Sequence, residues 1–233
     1  MYNYDTTYML GYGFVIIGFI ITMGAQLLVK GNYSKYKKIS NSSNTRGCDV
    51  ARRILNANDL NKVKIEQVSG ELTDHYDPRD KVVRLSSDIY NGTSVAAMAV
   101  AAHECGHAIQ DKVNYGPLRF RSSMVPVVNL CDKIGYFVIM LGLILGFFNM
   151  AMFGLILLGA VLLFQLVTLP VEFNASSRAK KQINILNLGD KKTEGGISKM
   201  LTAAALTYVA SVINTLFQLL RMFVMILGNR RRN

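Results

Sequence analysis

Histidine, cysteine and tryptophan are scarce in this sequence. Its 233 residues include three histidines, three cysteines and no tryptophan. The cysteines (Cys48, Cys105 and Cys131) are odd in number and widely spaced, which excludes a dense disulfide framework and a C-x-x-C zinc site. We therefore expect reduced thiols, as in a domain that faces the cytosol.

Acidic residues are also few. There are 15 Asp and Glu against 26 Lys and Arg, which gives a net charge of +11. Such an excess can indicate nucleic-acid binding, but no nucleic-acid motif or aromatic-rich basic groove is present. The basic residues instead border apolar stretches, where anionic lipid headgroups are the nearer partner. We therefore predict a lipid bilayer as a partner and no nucleic acid.

Hydrophobic residues make up 51% of the chain and are concentrated in a few blocks. The first block, residues 9–29, is long enough to cross a bilayer core of about 30 Å. Asp5 precedes it, and four lysines follow it between positions 30 and 38. A cleaved signal peptide has the opposite pattern. The positive-inside rule therefore predicts an uncleaved anchor over residues 1–30, with the N-terminus outside.

The second apolar block, residues 134–169, is long enough for two crossings joined near Asn149. Two crossings return the chain to the cytoplasm. The basic character of the following segment, residues 170–202, agrees with that location.

The last apolar block lies within residues 203–233. Five polar residues recur in it at helical intervals: Thr207, Ser211, Asn214, Gln218 and Arg221. A membrane span would put the arginines at 230–232 outside, against the positive-inside rule. The block is therefore either a span with its polar face toward other helices or an in-plane amphipathic helix.

Residues 31–133 have the composition of a soluble domain between the first two apolar blocks. Capping and periodicity predict a helix that begins at Asn44, strands over 63–68 and 82–85, and an alanine-rich helix over 94–110. The predicted fold class is α+β, a cytoplasmic domain combined with transmembrane helices.

The alanine-rich helix contains an H-E-x-x-H motif formed by His103, Glu104 and His107. This composition gives about 0.001 such patterns by chance. A spacing of four puts both imidazoles on one helix face, where they can bind one Zn²⁺. Glu104 lies beside the first ligand and can act as a base toward water without binding the metal. We therefore predict zinc as the cofactor and Glu104 as the catalytic residue.

A catalytic zinc usually has a third protein ligand. Asp111 lies on the same helix face, but three groups in line along one straight helix cannot easily surround one ion. Glu172 follows the second apolar block and begins a segment with small side chains that can approach the first helix. It is our candidate ligand, although it can also be an interfacial carboxylate that balances Arg178 and Lys180.

The motif and the later segment Glu172-Phe173-Asn174-Ala175-Ser176 resemble the gluzincin pattern H-E-x-x-H with a downstream E-x-x-A-D, as in the HtpX and CAAX prenyl proteases. With residues 70–79 and 101–110, the chain is similar over almost its whole length to the YugP-type neutral zinc metallopeptidases. The resemblance implies a gluzincin-like domain, with the H-E-x-x-H helix beside a small sheet. It also implies zinc held by His103, His107 and Glu172.

The resemblance implies two further roles. Residues 81–86 would be the edge strand on which an extended substrate peptide lies. Ser176 stands where HtpX usually has an Asp that supports the first zinc histidine. His75, the remaining histidine, either stabilises an oxyanion or fixes the turn around Asp77 and Arg79, and we favour the structural role.

These features predict a multi-pass membrane zinc endopeptidase with its active site facing the cytoplasm. Its substrates would be protein or peptide segments at the membrane, with Glu104 removing a proton from water that zinc has acidified. A site-2-type intramembrane protease is disfavoured because no L-D-G motif lies in an apolar segment. The alternative from another class is a non-catalytic membrane scaffold stabilised by zinc, which would be expected to have four protein ligands.

Overall fold

A computed structural model describes residues 4–230 of the chain. This part is mostly helical, with one small mixed sheet and four long apolar helices. The helices are α1 (Tyr4–Lys37), α2 (Gly47–Ala57), α3 (Ser87–Asn91), α4 (Val95–Lys112), α5 (Gly116–Ile144), α6 (Phe148–Ile185) and α7 (Lys191–Arg230). The strands are β1 (Lys64–Val68), β2 (His75–Asp77) and β3 (Val82–Ser86). Residues 1–3 of the predicted anchor and 231–233 of the basic tail lie outside the described residues.

The chain forms two compact units. The first, here called the helical unit, contains the residues up to Gln26, Phe120–Leu169 and the residues from Thr207 onward. The second, the mixed unit, contains Leu27–Arg119 and Pro170–Leu206.

The core of the mixed unit surrounds α4. This helix is buried on nearly all sides, and six of its alanines are completely buried: Ala96, Ala97, Ala99, Ala101, Ala102 and Ala108. A helix buried all round has to be apolar, and small side chains let its neighbours approach closely. Ile54 and Leu55 of α2 and Leu85 of β3 fill the space around it. The composition of α4 therefore fixes it as the central element of this unit.

The three strands are arranged in the order β1-β3-β2, with β1 parallel and β2 antiparallel to β3. The central strand β3 buries Val82, Val83 and Leu85. The prediction that residues 81–86 form an edge strand is therefore wrong, because strands pair with β3 on both sides. The edges are β1 and β2, and the three-residue β2 was too short to be recognised in the sequence.

Helix boundaries differ from the predictions in several places. Helix α2 begins at Gly47 after Arg46, and Asn44 lies before it with a φ of 48°. Helix α5 begins at Gly116, so the predicted boundary at 133 falls inside it. The turn between α5 and α6 lies at 145–147, where Gly146 has a φ of 73°, rather than at Asn149. Pro170, taken as the end of the hairpin, lies inside α6.

All four long helices contain segments that could cross a membrane by length and composition. These are Gly11–Lys37, Gly116–Ile144, Phe148–Ile185 and Lys191–Asn229. In the helical unit, Ile139 of α5, Ala151 and Leu158 of α6 and Ile226 of α7 form a buried apolar cluster. Polar side chains of α7 also contact α1 and α5 in this unit.

The polar face of α7 is directed at other helices of the helical unit. The guanidinium of Arg221 lies 5.2 Å from the ring centroid of Tyr12, and Gln218 Oε1 accepts a hydrogen bond from Tyr136 Oη at 3.1 Å. The rings of Phe14 and Phe217 stack with centroids 5.6 Å apart. Since Tyr12 pairs with a later residue of α7 than Phe14 does, α1 and α7 run antiparallel.

Candidate metal centre

Helix α4 presents its two histidines side by side. Ser94 caps the helix by accepting a hydrogen bond from the backbone N–H of Ala97 at 3.1 Å. His103 and His107, one helical turn apart, have ring centroids 4.8 Å apart and are oriented edge to face. This is the arrangement that the spacing of the motif predicts.

Close contact between α4 and α6 brings the third candidate to these histidines. A Cβ atom added to Gly106 would lie 2.4 Å from the carbonyl oxygen of Ala175. Ala175 itself is completely buried. Because glycine faces alanine here, the backbones of the two helices approach closely enough for Glu172 to reach the α4 histidines.

Three potential ligand atoms converge at this contact. Glu172 Oε2 lies 3.2 Å from His103 Nε2 and 3.6 Å from His107 Nε2. Within the described part of the chain, this is the group of His, Cys, Asp or Glu side chains placed to hold a metal ion, with all ligand atoms within 4.8 Å of one another. Donor atoms about 2.1 Å from a tetrahedral zinc ion lie about 3.4 Å apart. The spacing therefore fits zinc.

Both histidines have a partner at the second ring nitrogen. His103 Nδ1 lies 3.2 Å from Ser176 Oγ, and His107 Nδ1 lies 3.0 Å from Gln110 Oε1. An oxygen acceptor at Nδ1 favours the tautomer that carries its proton there, which leaves the Nε2 lone pair for a metal. Two imidazoles and one carboxylate form a common catalytic zinc ligand set. The residues present fit this metal.

Gln110 contacts a candidate metal ligand, His107, and the sequence analysis did not identify it. It is completely buried, and its Nε2 donates to the carbonyl of Val171 at 2.7 Å and to Asn174 Oδ1 at 3.0 Å. Because the amide nitrogen is bound to α6, the amide oxygen faces His107. The sequence feature that could have identified Gln110 is its position three residues after His107, on the same helix face.

The centre is strongly anionic for a buried site. His107, Glu172 and Glu104 are 8%, 3% and 7% exposed. Burial opposes the charged form of His107, but its hydrogen bond to Glu172 and the charges of both glutamates raise its pKa above the ordinary value. The carboxylates beside the two imidazoles favour a positive charge at this site, such as a bound cation.

Asp74 adds a further carboxylate to the surroundings of Glu104. Its Oδ1 accepts hydrogen bonds from the backbone N–H of Ser86 at 2.7 Å and from the Ser86 hydroxyl at 3.1 Å. Burial raises the pKa of Asp74, the Ser86 donors oppose this shift, and the charge of Glu104 adds to it. Asp74 therefore places a second carboxylate close enough to Glu104 for their charges to interact.

The other acidic candidates are engaged elsewhere. Asp111 accepts a hydrogen bond from Tyr76 Oη at 2.7 Å and pairs with Lys81, which holds α4 against the sheet. Arg178 donates to Asn174 Oδ1 at 2.7 Å, whereas Glu172 faces the two histidines. The geometry therefore favours the ligand interpretation of Glu172 over an interfacial carboxylate that balances Arg178.

His75 lies at the start of β2, where it is exposed, and its Nδ1 is 2.8 Å from the carbonyl oxygen of Thr73. The turn that follows β2 is held by Asp77, whose Oδ1 accepts from the backbone N–H of Arg79 at 2.9 Å. The hydrogen bond of His75 joins it to Thr73, on the side of β2 away from this turn, and its role stays a prediction.

Comparison with known proteins agrees with the ligand chemistry. The family described as "Putative neutral zinc metallopeptidase" matches residues 11–227. The Bacillus subtilis (strain 168) protein "Putative membrane protease YugP" is 46% identical over 213 residues, which are 91% of this chain and 95% of that protein. No solved structure matches the chain. Because the family match extends over most of its length, the chain belongs to the family described as "Putative neutral zinc metallopeptidase".

Proposed function

We propose that the chain is a membrane-anchored zinc endopeptidase of the gluzincin type. The observation that carries the proposal is the convergence of His103, His107 and Glu172, with Glu104 buried next to the first histidine. A structural zinc site usually has four protein ligands, whereas a catalytic site has three and one open position. The three-membered group supports an enzyme over the zinc-stabilised scaffold.

Zinc bound here would supply Lewis acidity, which makes water more acidic and polarises a peptide carbonyl. The Glu104 carboxylate takes a proton from the attacking water as the water oxygen bonds to the carbonyl carbon. Glu104 then delivers this proton to the amide nitrogen as the C–N bond breaks. Ser176 and Gln110 keep the two imidazoles oriented throughout.

We also propose that the protein is a multi-pass membrane protein. Lysines lie at the C-terminal end of α1, and basic residues lie in the last turns of α6 and the first turn of α7, which favours a cytoplasmic location for residues 39–130 and 170–200. The packing of the polar face of α7 on Tyr12 and Tyr136 supports a fourth span rather than an in-plane helix. A fourth span would leave the basic tail outside, as an exception to the charge rule.

The division proposed from the sequence places the chemistry between membrane segments. Residues 1–30 would be the anchor, 31–133 the metalloprotease domain, 134–169 the transmembrane hairpin, 170–202 the segment that carries Glu172, and 203–233 the last helix with its tail. Glu172 follows Leu169 by three residues. The proposed metal site would therefore lie close to the membrane surface. Membrane proteins, their juxtamembrane tails and unfolded segments near the bilayer are the substrates that this location favours.

The decisive experiment is Glu104→Gln in the full chain reconstituted in lipid. This variant keeps the size of the side chain but removes the base, so cleavage of a casein-like or juxtamembrane peptide should fall by about 10²- to 10⁴-fold while zinc content stays unchanged. Glu66→Gln, the same change on exposed β1, is the matched control and should cleave normally. Equal cleavage by wild type and Glu104→Gln would refute the mechanism. Zinc binding without cleavage of any substrate by wild type would favour the scaffold.

A further inference from the structure

The helical unit contains a cavity of about 350 Å³ between α5, α6 and α7. One face of each helix lines it, with residues at helical spacing. Six of the lining residues are polar: Asn129, Asp132, Tyr136, Gln165, Thr215 and Gln218. Polar groups inside membrane helices are costly and are usually retained for function. The proposed zinc chemistry uses none of them.

Two amide oxygens in this cavity are available as hydrogen-bond acceptors. Gln165 Oε1 is buried and has no hydrogen-bond partner in the described part of the chain. Gln218 Oε1 accepts from Tyr136 Oη and retains a second lone pair. The cavity therefore has capacity for a ligand that donates several hydrogen bonds.

The cavity also has an uncompensated negative charge. Asp132 lines it, and none of the lining residues is Lys, Arg or His. Among the side chains that the structure describes, no cationic group forms an ion pair with Asp132. Next to the low-dielectric core of a bilayer, such an exposed carboxylate favours a cation as its partner.

The volume limits what can enter. A cavity of 350 Å³ is at the small end of ligand-binding clefts, which span about 300–1,000 Å³. It can hold one long side chain but not a helix. The cytoplasmic ends of membrane spans are rich in Lys and Arg. In the proposed topology, Asp132 and Gln165 lie near the cytoplasmic boundary of the transmembrane hairpin of residues 134–169, at the depth where such residues occur.

The geometry points to a docking site for the Lys or Arg side chain at the cytoplasmic end of a substrate's membrane span, with Asp132 as its ion-pair partner and Gln165 Oε1 as an acceptor. This inference rests on the proposed function and narrows it. The favoured substrates are membrane proteins with a basic residue at the cytoplasmic boundary of a span. Recognition of that residue is separate from the chemistry at the metal centre.

The test measures binding rather than cleavage, in the full chain carrying Glu104→Gln in phosphatidylcholine nanodiscs. The partner is a single-span protein with one Lys at the cytoplasmic end of its span, compared with its Lys→Met and Lys→Glu forms. Asp132→Asn should raise Kd by about tenfold for the Lys form and change it little for the Met form. Asp132→Lys should prefer the Glu form over the Lys form.

The matched control is Asp59→Asn, which removes the same charge from a side chain that is 90% exposed and paired with Lys112. It should bind like the Glu104→Gln parent. Zinc content and helical circular dichroism of each variant establish equal folding, and the reversed preference of Asp132→Lys cannot arise from misfolding.

Several outcomes would overturn the inference. These are equal Kd values for the Lys and Met forms, an equal effect of Asp59→Asn, competition by ethanolamine lipids added to the nanodiscs, or Asp132-dependent dimerisation of the chain itself. Failure of the proposed function is a different result, namely the absence of soluble-peptide cleavage by wild type. Since binding is measured on the Glu104→Gln form, the two failures are distinguishable.

Discussion

The buried amide of Gln110 connects the two helices that carry the proposed metal ligands His103, His107 and Glu172. Its Oε1 lies 3.0 Å from His107 Nδ1 in α4, and its Nε2 donates to the carbonyl of Val171 in α6. A single side chain thus orients one ligand and fixes the helix that supplies another. Support of this kind typically affects metal affinity by about 10- to 100-fold.

Replacing Gln110 should therefore weaken zinc binding without removing a ligand. We expect Gln110→Leu to raise the zinc Kd by about 10- to 100-fold, because Nδ1 of His107 loses its acceptor and Val171 loses its donor. Titration against a competing chelator measures this. Gln67→Leu, the same change at an exposed position of β1, should bind zinc like wild type. A wild-type affinity in Gln110→Leu would show that the amide does not support the ligand.

The ligand set itself predicts one zinc ion per chain. His103→Ala, His107→Ala and Glu172→Gln should each lower zinc content, because each removes one of three donors that lie within 4.8 Å of one another. His75→Ala is the control, since this exposed histidine contacts Thr73 instead. Metal analysis of the purified variants gives the stoichiometry. Full zinc occupancy in Glu172→Gln would remove Glu172 from the set.

Zinc affinity should depend on which side chain at position 176 contacts His103 Nδ1. Ser176→Ala removes the oxygen 3.2 Å from Nδ1 and should lower zinc affinity by about tenfold or more. Ser176→Asp should bind zinc at least as tightly as wild type, because a carboxylate is the stronger acceptor for an imidazole N–H. The same chelator titration compares the variants. Equal affinities for Ser176→Ala and wild type would contradict a supporting role.

The contact between Gly106 and Ala175 predicts sensitivity to a single methyl group. Gly106→Ala places a Cβ about where the Ala175 carbonyl lies, so the helices have to separate, at a cost of about 1–3 kcal/mol. Melting temperature and zinc content should both fall. Gly195→Ala is the matched control, because a Cβ there meets nothing within 4 Å and alanine favours a helix. A melting temperature that is unchanged in Gly106→Ala would contradict the close approach.

Topology is tested by labelling single cysteines from outside the cell. In a background without the three native cysteines, positions 35 and 181 should be protected, and residues 1–7 should be reachable. Position 233 separates the two alternatives for α7, because a fourth span exposes it outside and an in-plane helix does not. Labelling of position 35 or 181 from outside would reverse the proposed orientation.

Much of the helical structure follows from local rules. The four-residue spacing of His103 and His107 fixes their common face in any helix, and the apolar blocks fix the long helices. Helix ends were less predictable. Helix α6 continues through Pro170, although proline removes one backbone N–H and its ring crowds the preceding turn, which is why the sequence predicted an end there.

The sequence by itself determined the motif, the membrane-compatible helices and the candidacy of Glu172. Only the tertiary structure decided that β3 is central, that Asp111 contacts Tyr76 rather than the two histidines, and that Gln110 lies beside His107 Nδ1. Each of these depends on contacts between residues far apart in the chain. Helical periodicity relates residues three or four positions apart, whereas strand order and the close approach of α4 and α6 arise from packing around a common core.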